Sequence, residues 1–159
     1  MADAKTENMK SIARFNKQIN VATKRMAVDM PRMIQRRVAL DALSRLIFRT
    51  PVGNSDLWKI KPKERYVGGR ARANWQVDIG SIPSSINETE DRDGSATLSS
   101  GSSKITKANG FDTVYIANNV EYIVALEEGH STQAPQGMMA LTVAELEMIQ
   151  FPENNEVIK

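Results

Sequence analysis

The first half of the chain carries apolar residues at helical spacing. Residues 8–29 repeat them every three or four positions, which predicts an amphipathic helix with one apolar face. The members of this stripe are Ile12, Phe15, Ile19, Ala22 and Met26. A second helix is predicted from Pro31 to about Phe48, because proline suits a first helical turn better than a helix interior. One long helix kinked near Met30 is the alternative.

The second helix has the broader apolar stripe and is therefore expected to be the more buried of the two. Its apolar positions are Met33, Ile34, Val38, Leu40, Leu43, Leu46 and Ile47. The pair Thr50-Pro51 ends it, because a residue before proline avoids the helical region. Residues 51–69 have no regular period and are predicted to form a long loop. We expect Trp58 and Tyr66 to pin this loop to the body or to a neighbour.

Apolar and polar residues then alternate, which is the pattern of a half-buried strand. Trp75, Val77 and Ile79 point to one face of the first predicted strand. A second strand is predicted within Phe111 to Ala117, with Val114 and Ile116 on one face and Tyr115 on the other.

Residues 80–112 are rich in Ser, Gly, Asp and Asn and show apolar residues only at intervals. A weak strand is predicted near Ala96–Ser99, with turns at Asp91–Gly94 and at Gly101–Lys104.

Beyond the second strand, Asn118-Asn119 suits a turn or a helix cap. Residues 120–128 are predicted to form a short helix, which Gly129 closes in the left-handed conformation. A final helix is predicted from Met138 to Ile149, and Pro152 stops it.

Helices segregated from strands in this order predict an α+β fold. The chain of 159 residues fits a single domain, 1–159, in which basic N-terminal helices pack on a small, mostly antiparallel β-sheet. Its regions are the helices of 8–49, the long loop of 51–69, the sheet region of 70–117 and the short helices of 118–151, which include a short C-terminal helix. Such a sheet is too small to hide both faces, so the N-terminal helices or a neighbouring subunit must cover one.

Charge is distributed unevenly along the chain. Residues 1–75 hold 17 Lys and Arg against 6 Asp and Glu, whereas residues 76–159 hold 4 against 13. This asymmetry favours a polyanionic partner or head-to-tail packing of copies, and two solvated faces without a partner are the alternative. Because the chain has no cysteine, disulfides and thiolate chemistry are excluded, as suits a reducing cytoplasm. No apolar run reaches the length of a membrane span, so no membrane partner is expected.

Candidate chemistry centres on the single histidine, His130, which follows Glu127 and Glu128. A metal site needs three or four ligands, and no second histidine exists to help. Ser131 also lacks the G-x-S-x-G context of a nucleophile. A hydrogen-bonding role at a turn is therefore favoured over a small hydrolase built on His130 and Glu128. We predict no catalytic residue, no cofactor and no metal.

Basic residues with interleaved aromatics occupy residues 59–75, a pattern that suits a phosphate backbone. A solvated loop is the simpler alternative. On a strand, Arg70 and Arg72 would share a face and pair with carboxylates of the next subunit, which is the role we favour. The residues predicted to form an interface are Trp58, Tyr66, Arg70, Arg72, Trp75, Glu127, Glu128 and His130.

Three segments, taken together, resemble the neck or tail-completion family of long-tailed bacteriophages, which includes the minor tail protein Z group. They are RTPVG at 49–53, GGRARANWQV at 68–77 and VYIANNVEYIVALEEGHSTQAPQGMM at 114–139. Their order matches a T-P-V segment, a G-R-x-R-x-x-W strand, N-N-x-x-Y, an E-x-G-x-S turn and A-P-x-G-M. The stretch between Val52 and Gly68 is longer than in many members.

The resemblance implies a non-enzymatic structural protein of the virion neck, assembled in the host cytoplasm. It implies a homo-oligomeric ring, expected to hold six copies, between the head–tail connector or stopper protein and the tail terminator or tail tube. DNA crosses such a ring, so a non-specific contact with DNA is expected. The alternative function is a nucleic-acid-binding module that uses the basic N-terminal half.

Overall fold

A single helical run forms the first third of the chain. The computed structural model describes residues 2–57, 60 and 66–149. In it α1 spans Ala2–Lys24, a π-helical segment spans Arg25–Asp29, and α2 spans Met30–Arg49 without a break between them. Both predicted helices are confirmed, although one continuous helix describes them better than two.

Pro31 gives a physical reason for the π-helical segment. Proline has no N–H, and in a regular helix its ring would clash with the carbonyl four residues earlier. The wider turn relieves this crowding: the N–H of Met30 donates to the carbonyl of Arg25, five residues back. The sequence therefore changes helix type near Pro31 rather than ending the helix there.

The two helices differ sharply in burial. Every residue from Met9 to Lys24 is exposed. By contrast, α2 contributes four side chains to the core, namely Ala39, Leu43, Leu46 and Ile47. The expectation that the second helix is the more buried is thus confirmed. Its stripe is narrower than predicted, since Met33 and Leu40 are 69% and 39% exposed.

The sheet has two antiparallel strands, β1 (Gln76–Ile79) and β2 (Val114–Ala117). Val77 lies opposite Ile116 across the pair. Val114 and Ile116 pack against the core, as the alternation predicted. The predicted small antiparallel sheet is therefore confirmed, and so is the prediction that Val114 and Ile116 share its buried face.

Between the strands lies a helix that the sequence did not indicate. Residues Ser95–Ile105 form α4, so the strand near Ala96–Ser99 and the turn at Gly101–Lys104 were both wrong. A close approach explains why a glycine lies within this helix. A Cβ on Gly101 would stand 2.4 Å from Leu43 Cδ2 and 3.0 Å from Val77 Cγ2, so α4 packs directly on α2 and β1.

Short helical elements complete the fold. A 3₁₀ turn spans Ser55–Leu57, and a single helical turn, α3, spans Arg70–Ala73. The predicted C-terminal helices are confirmed as α5 (Ile123–Glu127) and α6 (Met139–Glu147). Gly129 has a φ of +81°, the left-handed closure that was predicted after α5.

The elements α2, β1, α4 and α6 surround one core, and the fold is α+β with a predominance of helix. Beyond the buried α2 residues, the core comprises Trp75, Val77, Ile105, Ala134 and Met138. Arg49 ties α2 to α6, donating to Thr142 Oγ1 at 2.9 Å and to Glu145 Oε1 at 2.5 Å. The body is thus packed around α2, and α1 is the element left outside it.

Candidate functional site

Three of the predicted interface residues line one cavity of about 610 Å³, namely Tyr66, Arg70 and His130. The ring of Tyr66 lies so close to Gly53 that a Cβ there would stand 2.4 Å from the hydroxyl oxygen. Burial raises the pKa of Tyr66, and the charge of Glu90 raises it further, so the phenol stays neutral. The structure therefore brings these three residues together at one surface.

The donors of this cavity are partly engaged within the chain. Arg70 Nη2 donates to Glu88 Oε1 at 3.0 Å, an ion pair in which Glu88 is largely exposed. The backbone N–H of His130 donates to the carbonyl of Ala125 at 3.1 Å, which closes the turn after α5. His130 as a whole is exposed.

Arg72 has an internal role rather than one at an interface. Its Nη2 donates to the carbonyl of Thr50 at 2.9 Å, and its Nη1 donates to the carbonyl of Arg92. Partial burial lowers the pKa of Arg72, while the carboxylates of Asp91 and Asp93 act in the opposite direction. The side chain fastens the end of α2 to the turn before α4.

The assignment of Arg70 and Arg72 to one face of a strand was wrong, because both lie on the helical turn α3. Arg-Ala-Arg-Ala alternates over only four residues, a length at which helix and strand cannot be told apart. In the structure Ala71 and Ala73 are the buried members of the turn.

Two further predicted interface residues are built into the body. Trp75 is only 3% exposed, so its ring belongs to the core and not to a contact surface. The carboxylate of Glu127 accepts backbone N–H groups from Met138, Met139 and Ala140 at 2.7 to 2.9 Å. Glu128 is exposed. Trp58 lies outside the described residues, as do the basic positions of 59 and 61–65.

The carboxylate of Glu127 caps the first turn of α6. Burial raises the pKa of Glu127, but the three backbone donors together outweigh that effect, so the pKa lies below its ordinary value. A charged carboxylate at a helix N-terminus also meets the positive end of the helix dipole. Glu127 therefore joins α5 to α6.

Sequence reasoning missed a second carboxylate of this kind, Asp91. It is nearly buried and accepts hydrogen bonds from the N–H of Gly94 at 3.0 Å and from Thr97 N and Oγ1 at 2.8 and 2.7 Å. The available signal was an acidic residue shortly before a Gly and a Thr, the composition of a helix start. Asp91 explains why α4 begins where it does.

The apolar stripe of α1 stays exposed along the described part of the helix. Ile12, Phe15 and Ile19 are 52%, 60% and 48% exposed, and Met9 and Met26 extend the row. Among the described elements, α1 makes an extensive contact only with the π-helical segment that follows it. An amphipathic helix of 23 residues is thus presented with its apolar face uncovered.

The described part of the chain carries neither a metal-binding cluster nor a membrane span. Within residues 2–57, 60 and 66–149, no three His, Cys, Asp or Glu side chains are grouped to hold a metal ion. None of the helices within those residues combines the length and the apolar composition that a membrane span requires. Compared with known proteins, the chain matches no family model, no curated protein and no solved structure at a significant level.

Proposed function

We propose that the chain is a structural subunit of the neck of a long-tailed bacteriophage, a tail-completion protein that acts as one copy in a ring. In this role it lies between the head–tail connector and the tail tube, and the proposal assigns it no catalytic reaction. The observation that carries the proposal is the uncovered apolar stripe of α1. The motif order described above supports the choice of family.

The stripe is suited to a weak contact that is repeated. Burying the exposed halves of five large apolar side chains contributes about 5 kcal/mol, before the cost of association is deducted. Because the cost of association offsets most of this energy, the stripe alone would hold two subunits only weakly. Repetition around a ring, or on a partner ring, multiplies the contact and makes the assembly stable.

The charge pattern supports head-to-tail packing of copies. Residues 108–149 contain six Asp and Glu and no Lys or Arg, whereas α1 and α2 are rich in basic residues. Segments of opposite charge within one chain favour contacts between unlike surfaces, the kind of contact that generates closed rings.

Sedimentation of the purified protein over a range of concentrations tests this proposal. The unaltered chain should form oligomers that grow with concentration, and a stripe variant, Phe15→Ser with Ile19→Ser, should remain monomeric. Val21→Ser is the matched control, because Val21 is 61% exposed on the opposite side of α1. Serine has nearly the helix propensity of the residues replaced, so helix content should not change.

A second arm of the test uses the phage that encodes the chain. Removing the gene should leave filled heads and finished tails that do not join. Monomers at every concentration, together with undiminished infectivity after deletion, would refute the proposal.

A further inference from the structure

The two faces of α1 are chemically distinct. With 100° between successive residues, five cations cluster on the side opposite the apolar stripe. They are Lys10, Arg14, Lys17 and Lys24 of α1 together with Arg25, the first residue of the π-helical segment, hereafter the cationic ridge. All five are exposed, and from Lys10 to Arg25 the ridge runs about 22 Å along the helix.

Three other arginines of the basic N-terminal half, unlike the ridge cations, have hydrogen-bond or ion-pair partners within the body of the protein. Arg36 donates to the carbonyl of Ala108 at 2.9 Å, and Arg45 and Arg49 both pair with Glu145. Over the part of the chain that the structure describes, four of the five ridge cations form no ion pair. The fifth, Lys10, has a 3.7 Å contact with Glu7, and both side chains are exposed.

We infer that the cationic ridge of α1 binds the phosphate backbone of duplex DNA without sequence preference. Duplex DNA carries one charge per about 1.7 Å of axis, counting both strands. A length of duplex equal to that of the ridge therefore carries about 13 phosphate charges, more than the five cations can contact. Lysine and arginine side chains on one exposed helix face can reach such a backbone while the opposite face is packed on protein. This inference rests on the proposed function, which places the subunit around a DNA channel.

The arrangement of the faces favours DNA over an anionic membrane surface. A helix lying in a membrane inserts its apolar face, and basic residues beside that face reach the headgroups. In α1 the positions between stripe and ridge are neutral, for example Ser11, Asn16, Gln18 and Asn20. The cations therefore point away from whatever covers the stripe.

The proposed DNA contact lies on α1 and not in residues 59–75, where the sequence suggested it. Within residues 66–75 of the basic stretch, Arg70 and Arg72 are engaged inside the chain and Trp75 is buried. The ridge offers more unpaired charge on one continuous surface.

Fluorescence anisotropy with a labelled 30-base-pair duplex between 50 and 200 mM salt tests the inference. Five phosphate contacts predict that affinity falls about 500-fold over this range. The ridge variant, Arg14→Gln with Lys17→Gln and Lys24→Gln, keeps two contacts and should show a fall of only about 12-fold. It should also bind more weakly at 50 mM salt.

A charge-matched control separates the ridge from net charge. Arg92→Gln with Lys104→Gln and Lys107→Gln removes three exposed cations from the C-terminal half and should bind DNA like the unaltered chain. Equal losses in the two triple variants, or no binding at 50 mM salt, would overturn the inference. Binding to phosphatidylserine vesicles in the absence of DNA binding would also overturn it. Sedimentation of the unaltered chain keeps the two proposals apart: oligomers of it that bind no DNA at 50 mM salt refute this inference alone.

Discussion

Trp75 donates its indole N–H to the hydroxyl oxygen of Thr50 at 2.6 Å, which joins the start of β1 to the end of α2. The same hydroxyl donates to the carbonyl of Leu46 at 2.6 Å. Thr50 and Trp75 are 1% and 3% exposed, so neither group exchanges its partner for water. Loss of either side chain therefore leaves a buried polar group unsatisfied.

Replacing Thr50 by the isosteric valine should lower the free energy of unfolding by about 2 kcal/mol, because the indole N–H stays buried without an acceptor. Urea denaturation measures this change. In combination with Trp75→Phe, Thr50→Val should cost much less than it does alone, since the donor has been removed as well. A coupling energy under about 0.5 kcal/mol in this double-mutant cycle would contradict the account.

Gly101→Ala should destabilise the protein by about 1–3 kcal/mol, although alanine is the better helix former. The reason is steric, because the new Cβ would press on Leu43 and Val77 in the core. Ser99→Ala provides the comparison, because Ser99 is exposed on the same helix and should gain a few tenths of a kcal/mol from propensity alone. Thermal unfolding of both variants checks the opposite signs, and a stabilised Gly101→Ala protein would rule out the close packing of α4.

Asp91→Asn should cost about 2 kcal/mol, because one carboxylate oxygen becomes an NH₂ group that faces the N–H and hydroxyl donors of Thr97. Amide hydrogen exchange should show the loss first at the N-terminal turn of α4. Asp93→Asn serves as the control, since Asp93 is exposed and accepts hydrogen bonds from the N–H and the hydroxyl of Ser95, so it should have the smaller effect. If the two substitutions proved equivalent, Asp91 would not be the anchor of α4.

Glu127 links stability to pH. Its pKa in the folded protein lies below the ordinary 4.5, so its contribution is present above that value and disappears as pH falls through the folded-state pKa. Glu127→Gln should therefore be less stable than the unaltered chain at pH 7 by about 2 kcal/mol. This difference should shrink below about pH 4.5, as denaturant titrations at several pH values would show. A gap between the two proteins that stays constant down to pH 3 would exclude the carboxylate as its source.

How far the sequence predicted the fold depended on whether an element carried a periodic apolar face. The helices α2 and α6 and the strand β2 have such faces, and their positions were predicted within a few residues. The helix α4 does not: SATLSSGSSKI offers only Leu98 and Ile105 as large apolar residues. Its stability comes from the Asp91 cap and from the fit of Gly101 against Leu43, which are tertiary contacts that no local pattern reveals.

The candidate site was less accessible to sequence reasoning. Exposure cannot be read from residue type, so Trp75 and Glu127 were assigned to an interface although both have partners inside the chain. The amphipathic character of α1 was predicted, but its separation from the core was not, because an apolar stripe normally finds cover within its own domain. Only the packed structure distinguishes the stripe of α2, which is buried, from that of α1, which is not.

The π-helical segment at Arg25–Asp29 is the joint between α1 and the body of the protein. The 23 residues beyond it extend about 35 Å, so a rotation of 10° at this joint displaces the far end by about 6 Å. That distance is close to the rise of one helical turn, about 5.4 Å. Such a bend would leave the packing of α2, β1, α4 and α6 unchanged, because the described residues of α1 make no extensive contact with these elements.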